Sequence, residues 1–357
     1  MRIVLSNSSV KWGGVHVVTE TLARGLSARG HDITVYGAPG SILEQRMHGV
    51  APFEPILQGM DLHPVTLMRA RRALRRGRAE VVIAMMKKDV RLTVPAAWSL
   101  GIPSIVRHAN DRPLTGWIYD RALFGGLPAL HIANSDATRD TLLGSAGWLH
   151  AERVMVIHNG MTSAAIDTAR QAMLGLEPDA VAIGFIGRLE RRKGLLDLMS
   201  AWPQVAAGMP RAHLVVAGKG PDEEQARHIA ADAPRIHWLG YRDDVPSLLK
   251  ALHVAVVPSH WEGFGLSALE AMIAGLPVVA ANASSLPEIV TDGITGLLVE
   301  PRNPGALAEA ILRLAGDSSM RAHMGAAGRR RALGTFSEDR MLDAFEKAIT
   351  SVCQNAS

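Results

Sequence analysis

The sequence contains little that would place it in a disulfide-linked, zinc-binding or membrane-spanning class. Its 357 residues include a single cysteine, Cys353, which excludes a disulfide framework and a cysteine-ligated zinc site. No apolar run reaches the roughly 18 residues that a transmembrane helix requires. The chain begins with a strand-like segment, MRIVLS, rather than with a signal peptide. We therefore expect a protein that acts in the cytoplasm.

Two common phosphate-binding sequences and one common metal-binding sequence are also missing. Gly13-Gly14 follows the first predicted strand, but the G-x-G-x-x-G pattern that NAD binding requires does not occur. Gly218-Lys219-Gly220 has neither the glycine spacing nor the Ser/Thr of a Walker A sequence. No Asp-x-Asp pair is present to hold a divalent ion. We expect no metal ion and no cofactor.

Basic residues are concentrated in the first half of the chain. Residues 1–165 contain 19 basic and 12 acidic residues, and six arginines lie within the segment 68–78, MRARRALRRGR. Such a run suits an anionic membrane surface, and a solvated helix is an equally good interpretation. Aromatic residues make up only 4% of the chain and none separates these arginines, which argues against a nucleic-acid partner.

Short apolar segments alternate with helical patterns along the whole chain, which predicts parallel, doubly wound sheets. The alternation is interrupted near residues 161–177. We therefore predict an N-terminal domain over 1–165, completed by a C-terminal helix at 337–357, and a second domain over 166–336. The predicted strands are 2–5, 33–36, 81–84, 104–107, 130–134 and 154–157, then 180–186, 213–217, 236–239, 253–257 and 278–281.

The segment 253–282 has the chemistry of a ligand-binding edge. A buried strand leads into a loop with Gly263 and Gly265, and a helix with unpaired N–H groups follows. Glu262 and Glu270 flank this turn. A carboxylate beside a phosphate would repel it, whereas it accepts hydrogen bonds from sugar hydroxyls. The competing interpretation is two solvated glutamates.

A second loop supplies positive charge. Strand 180–186 is followed by Gly187-Arg188-Leu-Glu-Arg-Arg-Lys193-Gly, which places two cations around the end of a strand and the start of a helix. Arg188 and Lys193 can neutralise a diphosphate that the helix N-terminus also attracts.

Two strings of residues resemble a known family. Glu262-Gly-Phe-Gly-Leu-x-x-x-Glu270-Ala-Met-x-Ala-Gly-x-Pro is similar to the signature of the family-4 retaining glycosyltransferases, and the segment from Gly187 to Gly194 resembles their G-R-L-x-x-x-K-G element. The resemblance implies the GT-B fold, an α/β fold of two Rossmann-like domains that face a central cleft.

The resemblance also implies roles for individual residues. Arg188 and Lys193 would hold the donor diphosphate, together with the loop of Gly187 and the backbone of Gly263, Phe264, Gly265 and Leu266. Glu262 would bind hydroxyls of the donor sugar and Glu270 the ribose. The base would lie beside the segment of Tyr241 and Arg242. In the first domain, His108 would contact the transferred sugar, and Gly13 and Gly14 would lie against the diphosphate and the acceptor.

The function that follows is a retaining, metal-independent hexosyl or N-acetylhexosaminyl transfer. A nucleotide sugar would be the donor, with UDP favoured and GDP next. The acceptor would be a glycan, a lipopolysaccharide or a lipid-linked sugar in cell-envelope polysaccharide synthesis, which could bring the enzyme to the inner face of the membrane. A nucleotide-sugar epimerase and a non-catalytic nucleotide-binding adaptor are the alternatives. The oligomeric state is left open.

Overall fold

The structure is a computed structural model that describes residues 1–10, 13–58, 63–114 and 118–355. The chain divides into two compact units, Met1–Asn159 with Glu338–Ser357, and Gly160–Ser337. The first division lies six residues before the predicted boundary, and the second lies one residue after it. The unit boundaries place Met161 and the short helix after it in the second unit.

The first unit is built on a seven-stranded parallel sheet with the order β3-β2-β1-β4-β5-β6-β7. Its core strands consist of apolar residues that are buried on both faces, as expected for a parallel sheet covered by helices. The strands are β1 (Arg2–Asn7), β2 (Asp32–Gly37), β3 (Phe53–Glu54), β4 (Val81–Ala84), β5 (Ser104–His108), β6 (Leu130–Ala133) and β7 (Val154–Val156). The two-residue strand β3 was not predicted, since it is too short to show a pattern.

Helices connect these strands. They are α1 (Gly14–Ala28), α2 (Ile42–Met47), α3 (Pro64–Arg76), α4 (Lys87–Leu92), α5 (Val94–Trp98), α6 (Ile118–Asp120) and α7 (Asp136–Ser145), with a π-helical segment at Arg121–Gly126 and a 3₁₀ turn at Ala151–Arg153. Serine side chains cap the N-termini of two of these helices. The Ser41 hydroxyl accepts from the Glu44 N–H in α2, and the Ser135 hydroxyl accepts from the Thr138 N–H in α7. The arginine run occupies α3 up to Arg76.

The second unit repeats the same topology with six parallel strands in the order β10-β9-β8-β11-β12-β13. They are β8 (Val181–Ile186), β9 (Ala212–Ala217), β10 (Ile236–Gly240), β11 (Val254–Val257), β12 (Val278–Ala281) and β13 (Gly296–Val299). The helices are α8 (Ala164–Thr168), α9 (Leu195–Gly208), α10 (Glu223–Ile229), α11 (Val245–Lys250), α12 (Leu266–Ile273), α13 (Leu286–Ile289), α14 (Pro304–Gly316) and α15 (Ser318–Thr335), with a 3₁₀ turn at Arg191–Lys193.

The last helix, α16 (Glu338–Gln354), belongs to the first unit. Its buried face, which includes Phe345 and Ile349, joins the core formed by α1, β1 and β2. Gly25 of α1 permits the contact, because a Cβ atom there would lie 2.4 Å from Leu342 Cδ1. None of the helices among the described residues is long and apolar enough to cross a lipid bilayer.

The strand order fixes where ligands are expected. In each unit the first strand lies between the second and the fourth, so the direction of winding reverses at the pairs β1/β4 and β8/β11. Ligands of doubly wound sheets bind at the carboxyl ends of such a pair. The prediction of two Rossmann-like parallel sheets is therefore confirmed.

Candidate nucleotide-sugar site

Three of the predicted residues of the second unit lie at its winding reversal. Arg188 and Lys193 follow β8, Glu262 follows β11, and these two strands are neighbours in the sheet. Lys193 and Glu262 are 69 residues apart in the sequence, and the pairing of these strands brings their side chains within hydrogen-bonding distance.

Lys193 and Glu262 form the central contact of this site. Lys193 Nζ lies 2.5 Å from Glu262 Oε1, which also accepts a 2.9 Å hydrogen bond from the Ser259 hydroxyl. The side chains are only 19% and 7% exposed, respectively. Water is largely excluded, so each charge depends on the other for its stability. Sequence reasoning had assigned these residues to different parts of the ligand and did not anticipate that they pair with each other.

Arg188 is more accessible. Its guanidinium pairs with Glu190 at 2.6 Å, and 51% of its side chain is exposed. Glu190 also pairs with Arg192 at 2.7 Å. Glu190 therefore compensates part of the positive charge of the loop, and the exposed position of Arg188 allows its guanidinium to turn toward an anion.

Two glycines shape the loops. Gly194 has φ of 71° at the start of α9, and a Cβ atom there would lie 1.9 Å from the Pro258 carbonyl oxygen. Gly265 has φ of 98° at the start of α12. Both positions require a left-handed backbone, and only glycine adopts it without strain. At Gly194 the missing side chain also allows the loops after β8 and β11 to approach each other.

The start of α12 offers backbone donors. Among the described residues, the N–H groups of Leu266 and Ser267 have no acceptor, whereas those of Ala268 and Leu269 bond to the Gly265 carbonyl. Phe264, just before it, is buried and packs edge to face on Phe336, with ring centroids 5.6 Å apart. This packing holds the turn rigidly.

Three residues that the sequence did not single out as functional support the loop 259–265. Ser285 is fully buried and donates to the Phe264 carbonyl at 2.8 Å. His260 Nε2 lies 2.5 Å from Asp197 Oδ2, which ties the loop to α9. Ser284, the residue before Ser285, has φ of 52°, a backbone conformation that glycine adopts more readily.

Glu270 has a distinct environment. It is partly accessible to solvent, but its carboxyl group makes no hydrogen bond or ion pair within the described part of the chain. Burial raises the pKa of its carboxyl group to about 7. A carboxyl group with this pKa is ready to accept hydrogen bonds from ligand hydroxyls, which would stabilise its ionised form.

Tyr241 and Arg242 follow β10 and are not in contact with the Lys193–Glu262 pair. Tyr241 is 63% exposed. Arg242 forms a bidentate ion pair with Asp244, in which Nε donates to Oδ1 at 2.7 Å and Nη2 donates to Oδ2 at 2.6 Å. The Arg242 guanidinium is thus occupied, and the accessible Tyr241 ring is the surface that this segment presents.

In the first unit, the predicted glycines lie at the winding reversal of their own sheet. Gly13 immediately precedes α1 and its carbonyl accepts from the N–H of His16 at 2.9 Å. A Cβ atom at Gly13 would meet nothing within 4 Å, so the fold itself does not require glycine there. Gly14 is the first residue of α1. In α4, which follows neighbouring β4, buried Asp89 accepts from the Ser8 N–H at 2.8 Å, and burial raises its pKa to about 7.

His108 ends β5 and lines a cavity of about 200 Å³ within the first unit. Its Nε2 lies 2.9 Å from His131 Nδ1 on β6. Burial, His131 and the cations Arg107 and Lys87 lower the pKa of His108 well below its usual value. Arg107 is itself buried and donates to Asn159 Oδ1 at 2.6 Å. The sequence indicated His108, but nothing in it indicated His131.

Two Rossmann-like units, each with polar residues at its winding reversal, define the GT-B class of fold. Solved structures of this class are similar over nearly the whole chain. A structure of Anabaena HepE in complex with UDP and glucose has a TM-score of 0.84 at 20% identity, covering 98% of this chain and 100% of that one. A glycosyltransferase from Rickettsia africae has a TM-score of 0.87 at 17% identity and covers 99% of each chain.

Family models match both halves of the chain. The model described as Glycosyltransferase Family 4 matches residues 12–164, and the model described as Glycosyl transferases group 1 matches residues 180–317. The chain belongs to this family of glycosyltransferases, as the two motifs had suggested.

The curated relatives align with only part of this chain. D-inositol 3-phosphate glycosyltransferase of Geodermatophilus obscurus is 37% identical over 201 residues, covering 52% of this chain and 44% of the relative. Alpha-maltose-1-phosphate synthase of Mycolicibacterium smegmatis is 29% identical over 276 residues, covering 66% of this chain and 70% of the relative. The chain spans less than half the length of the first of these relatives.

Proposed function

We propose that this protein is a retaining, metal-independent glycosyltransferase that moves a hexosyl or N-acetylhexosaminyl group from a nucleotide diphosphate sugar to a glycan, lipopolysaccharide or lipid-linked acceptor. The observation that carries the proposal is the arrangement at the carboxyl ends of β8 and β11. Two cations, a buried carboxylate and free N–H groups of α12 lie together there. These are the groups that a sugar diphosphate requires.

The cations would stabilise the leaving diphosphate. Glu190 is the one partner of the Arg188 guanidinium among the described residues, and Arg188 is exposed, so it can exchange this partner for a phosphate oxygen. Lys193 would share its three protons between Glu262 and the diphosphate. Together with the N–H groups of Leu266 and Ser267, they place fixed positive charge where negative charge develops during the reaction. This charge would replace the divalent ion that other transferases use.

Glu262 would hold the sugar rather than attack it. Its Oε1 is occupied by Lys193 and Ser259, and Oε2 has no partner within the described residues. An ionised carboxylate oxygen in this position accepts a hydrogen bond from a sugar hydroxyl. Among the residues that the structure describes at the ends of β8 and β11, none is poised as a nucleophile, which agrees with attack by the acceptor on the face from which the diphosphate leaves. Glu270 would accept from the ribose.

The proposed donor is a UDP-sugar, with a GDP-sugar next. One structural neighbour was solved with UDP and glucose and another with UDP-glucose. A partial relative from Corynebacterium glutamicum is named as a GDP-mannose-dependent mannosyltransferase, 36% identical over 172 residues. A screen of UDP- and GDP-sugars with purified protein tests the proposal. If nucleoside diphosphate is released only when a sugar acceptor is present, the result supports transfer. Interconversion of the donor sugar without an acceptor would indicate an epimerase. Binding of the donor without turnover would indicate an adaptor.

The acceptor is proposed to lie at an anionic membrane surface, which α3 would contact. All six arginines of the segment 68–78 are exposed. Apolar side chains accompany them: Met68 is 53% exposed and Trp98, at the end of α5, is 62% exposed. Arg71 Nε donates to Ser99 Oγ at 3.1 Å, which places Trp98 next to the basic face. A basic surface with an exposed tryptophan suits the interface of an anionic bilayer.

Liposome co-sedimentation tests this part separately. Arg72 and Arg75 are exposed and have no ion-pair partner among the described residues, and each contributes on the order of 1 kcal/mol at an anionic surface. We therefore expect Arg72→Gln with Arg75→Gln to weaken binding to anionic vesicles by roughly tenfold or more. The matched control, Arg211→Gln with Arg313→Gln, removes the same charge from the second unit. Equal loss in both variants, or no binding of the wild type at low salt, contradicts the membrane surface.

A further inference from the structure

A chain of hydrogen bonds runs through the two histidines of the first unit and ends at His108. His131 Nε2 lies 2.8 Å from the carbonyl oxygen of Phe124, and His131 Nδ1 lies 2.9 Å from His108 Nε2. The two rings are stacked, with centroids 5.2 Å apart. His131 is fully buried on β6.

The donor and acceptor of each hydrogen bond follow from the Phe124 carbonyl, where the series begins. A carbonyl oxygen can only accept, so His131 Nε2 must carry a proton. In a neutral imidazole the other nitrogen is then an acceptor, and His131 Nδ1 must receive its hydrogen bond from His108 Nε2. If His108 is neutral as well, its proton is on Nε2 and its Nδ1 has a free lone pair.

Both rings are neutral near pH 7. Burial lowers the pKa of His131 to about 4, and the nearby Arg153 acts in the same direction, although the bond to the Phe124 carbonyl opposes it. The pKa of His108 lies well below its usual value, because of burial, His131, Arg107 and Lys87. Asp120 partly offsets these cations, because it pairs with Lys87 at 3.1 Å and with Arg91 at 3.0 Å.

We propose that His131 is a positioning residue that fixes His108 as the tautomer with its proton on Nε2, so that His108 Nδ1 accepts a hydrogen bond from a hydroxyl group of the ligand. Within the described part of the chain, His108 Nδ1 has no hydrogen-bond partner. His108 lines the cavity beside Asn110 and Lys87. The identity of the ligand as a sugar rests on the proposed function, whereas the tautomer does not.

This assignment selects between two classes of ligand group. A lone pair on Nδ1 attracts a hydroxyl or another N–H or O–H donor, and it repels a phosphate or carboxylate oxygen. The anionic part of a sugar nucleotide would therefore have to be bound elsewhere, and His108 would contact the uncharged sugar. A protonated histidine in the same place would have the opposite preference.

Imidazole nitrogen NMR of the free protein tests the tautomer without any substrate. We expect His108 and His131 each to show a protonated Nε2 and a bare Nδ1 at pH 7. A coupling across the hydrogen bond should join His108 Nε2 to His131 Nδ1. A protonated Nδ1 on either ring, or an imidazolium at pH 7, overturns the proposal.

Variants of His131 separate positioning from packing. His131→Leu removes the acceptor, and we expect His108 to become a mixture of tautomers and to lose the coupling. His131→Asn can restore the acceptor with its amide oxygen, so the Nε2–H tautomer should return. The control is His213→Leu, which breaks a pair of the same 2.9 Å separation in the second unit. If His108 keeps a single Nε2–H tautomer in His131→Leu, His131 does not position it.

Binding of UDP-glucose as a probe tests the consequence. Analogues in which one glucose hydroxyl at a time is replaced by fluorine can still accept a hydrogen bond but cannot donate. One of these replacements should weaken binding by roughly two- to tenfold in the wild type and have no effect in His108→Phe. If no analogue distinguishes the two proteins, the contact with a hydroxyl is wrong. Failure of UDP-glucose to bind at all counts against the proposed donor and leaves the NMR result to decide the tautomer.

Discussion

Replacing Lys193 by methionine should damage both stability and turnover, for separate reasons. Glu262 would remain almost fully buried, and the Ser259 hydroxyl would be the one partner of its Oε1 among the described residues. Removing one partner of a buried ion pair costs about 3–5 kcal/mol. Lys193 is partly exposed and Ser259 remains, so we expect the lower end, about 3 kcal/mol. For a unit of this size, that corresponds to a fall in melting temperature of roughly 6–12 °C.

A double variant separates the two effects. Lys193→Met combined with Glu262→Gln contains no buried charge, so we expect most of the lost free energy of unfolding to be recovered. Turnover should stay roughly 10²–10³-fold below the wild type in both variants, because the cation that stabilises the leaving diphosphate is absent. Thermal and urea unfolding give the stability, and release of nucleoside diphosphate with a sugar acceptor gives the turnover.

The control is Arg191→Ala in the same loop. The Arg191 side chain contacts the exposed Gln225, and we expect its loss to change stability by no more than about 0.5 kcal/mol and to leave turnover intact. The reasoning is refuted if the double variant is no more stable than Lys193→Met. It is also refuted if Lys193→Met retains turnover close to that of the wild type.

Three further predictions concern the same site. Arg188→Ala should lower turnover by roughly 10²–10³-fold, with little change in melting temperature because Arg188 is half exposed; a large loss of stability with normal turnover contradicts this. Turnover should survive excess EDTA, and loss that magnesium or manganese restores would falsify the metal-independent mechanism. Glu270 has a folded pKa raised to about 7 from 4.5, so the stability of the ligand-free protein should fall as pH rises from about 4.5 to 7. Unfolding of Glu270→Gln should show less of this fall, and an identical pH profile would contradict the assignment.

Much of the fold could be predicted because its strands are buried on both faces. Segments such as 81–84 and 254–257 are short runs of apolar and mostly β-branched residues, and glycine or proline interrupts the helices between them. The polar residues at the strand ends also followed from the sequence, since a parallel sheet places all its carboxyl ends at one edge. The location of Arg188 and Glu262 just after two strands was predicted in this way.

The contacts within the site could not be predicted, because they depend on strand order and side-chain direction. Lys193 meets Glu262 only because β11 lies next to β8 rather than next to β10, its predecessor along the chain. His131 meets His108 across the neighbouring strands β5 and β6, in the middle of an apolar segment that reads as ordinary core. Ser285 is fully buried, and its hydrogen bond to the Phe264 carbonyl gives it a structural role that its sequence position does not reveal.

The position of α16 has a consequence for the order in which the chain can fold during synthesis on the ribosome. The second unit is continuous from Gly160 to Ser337, so all of it has been translated before α16 exists. The core of the first unit needs Phe345 and Ile349 of α16 to cover Leu22 and Leu26. The first unit to be translated is thus the last to be completed. A premature stop that removes α16 would leave its core uncovered, although all seven strands of its sheet had been made.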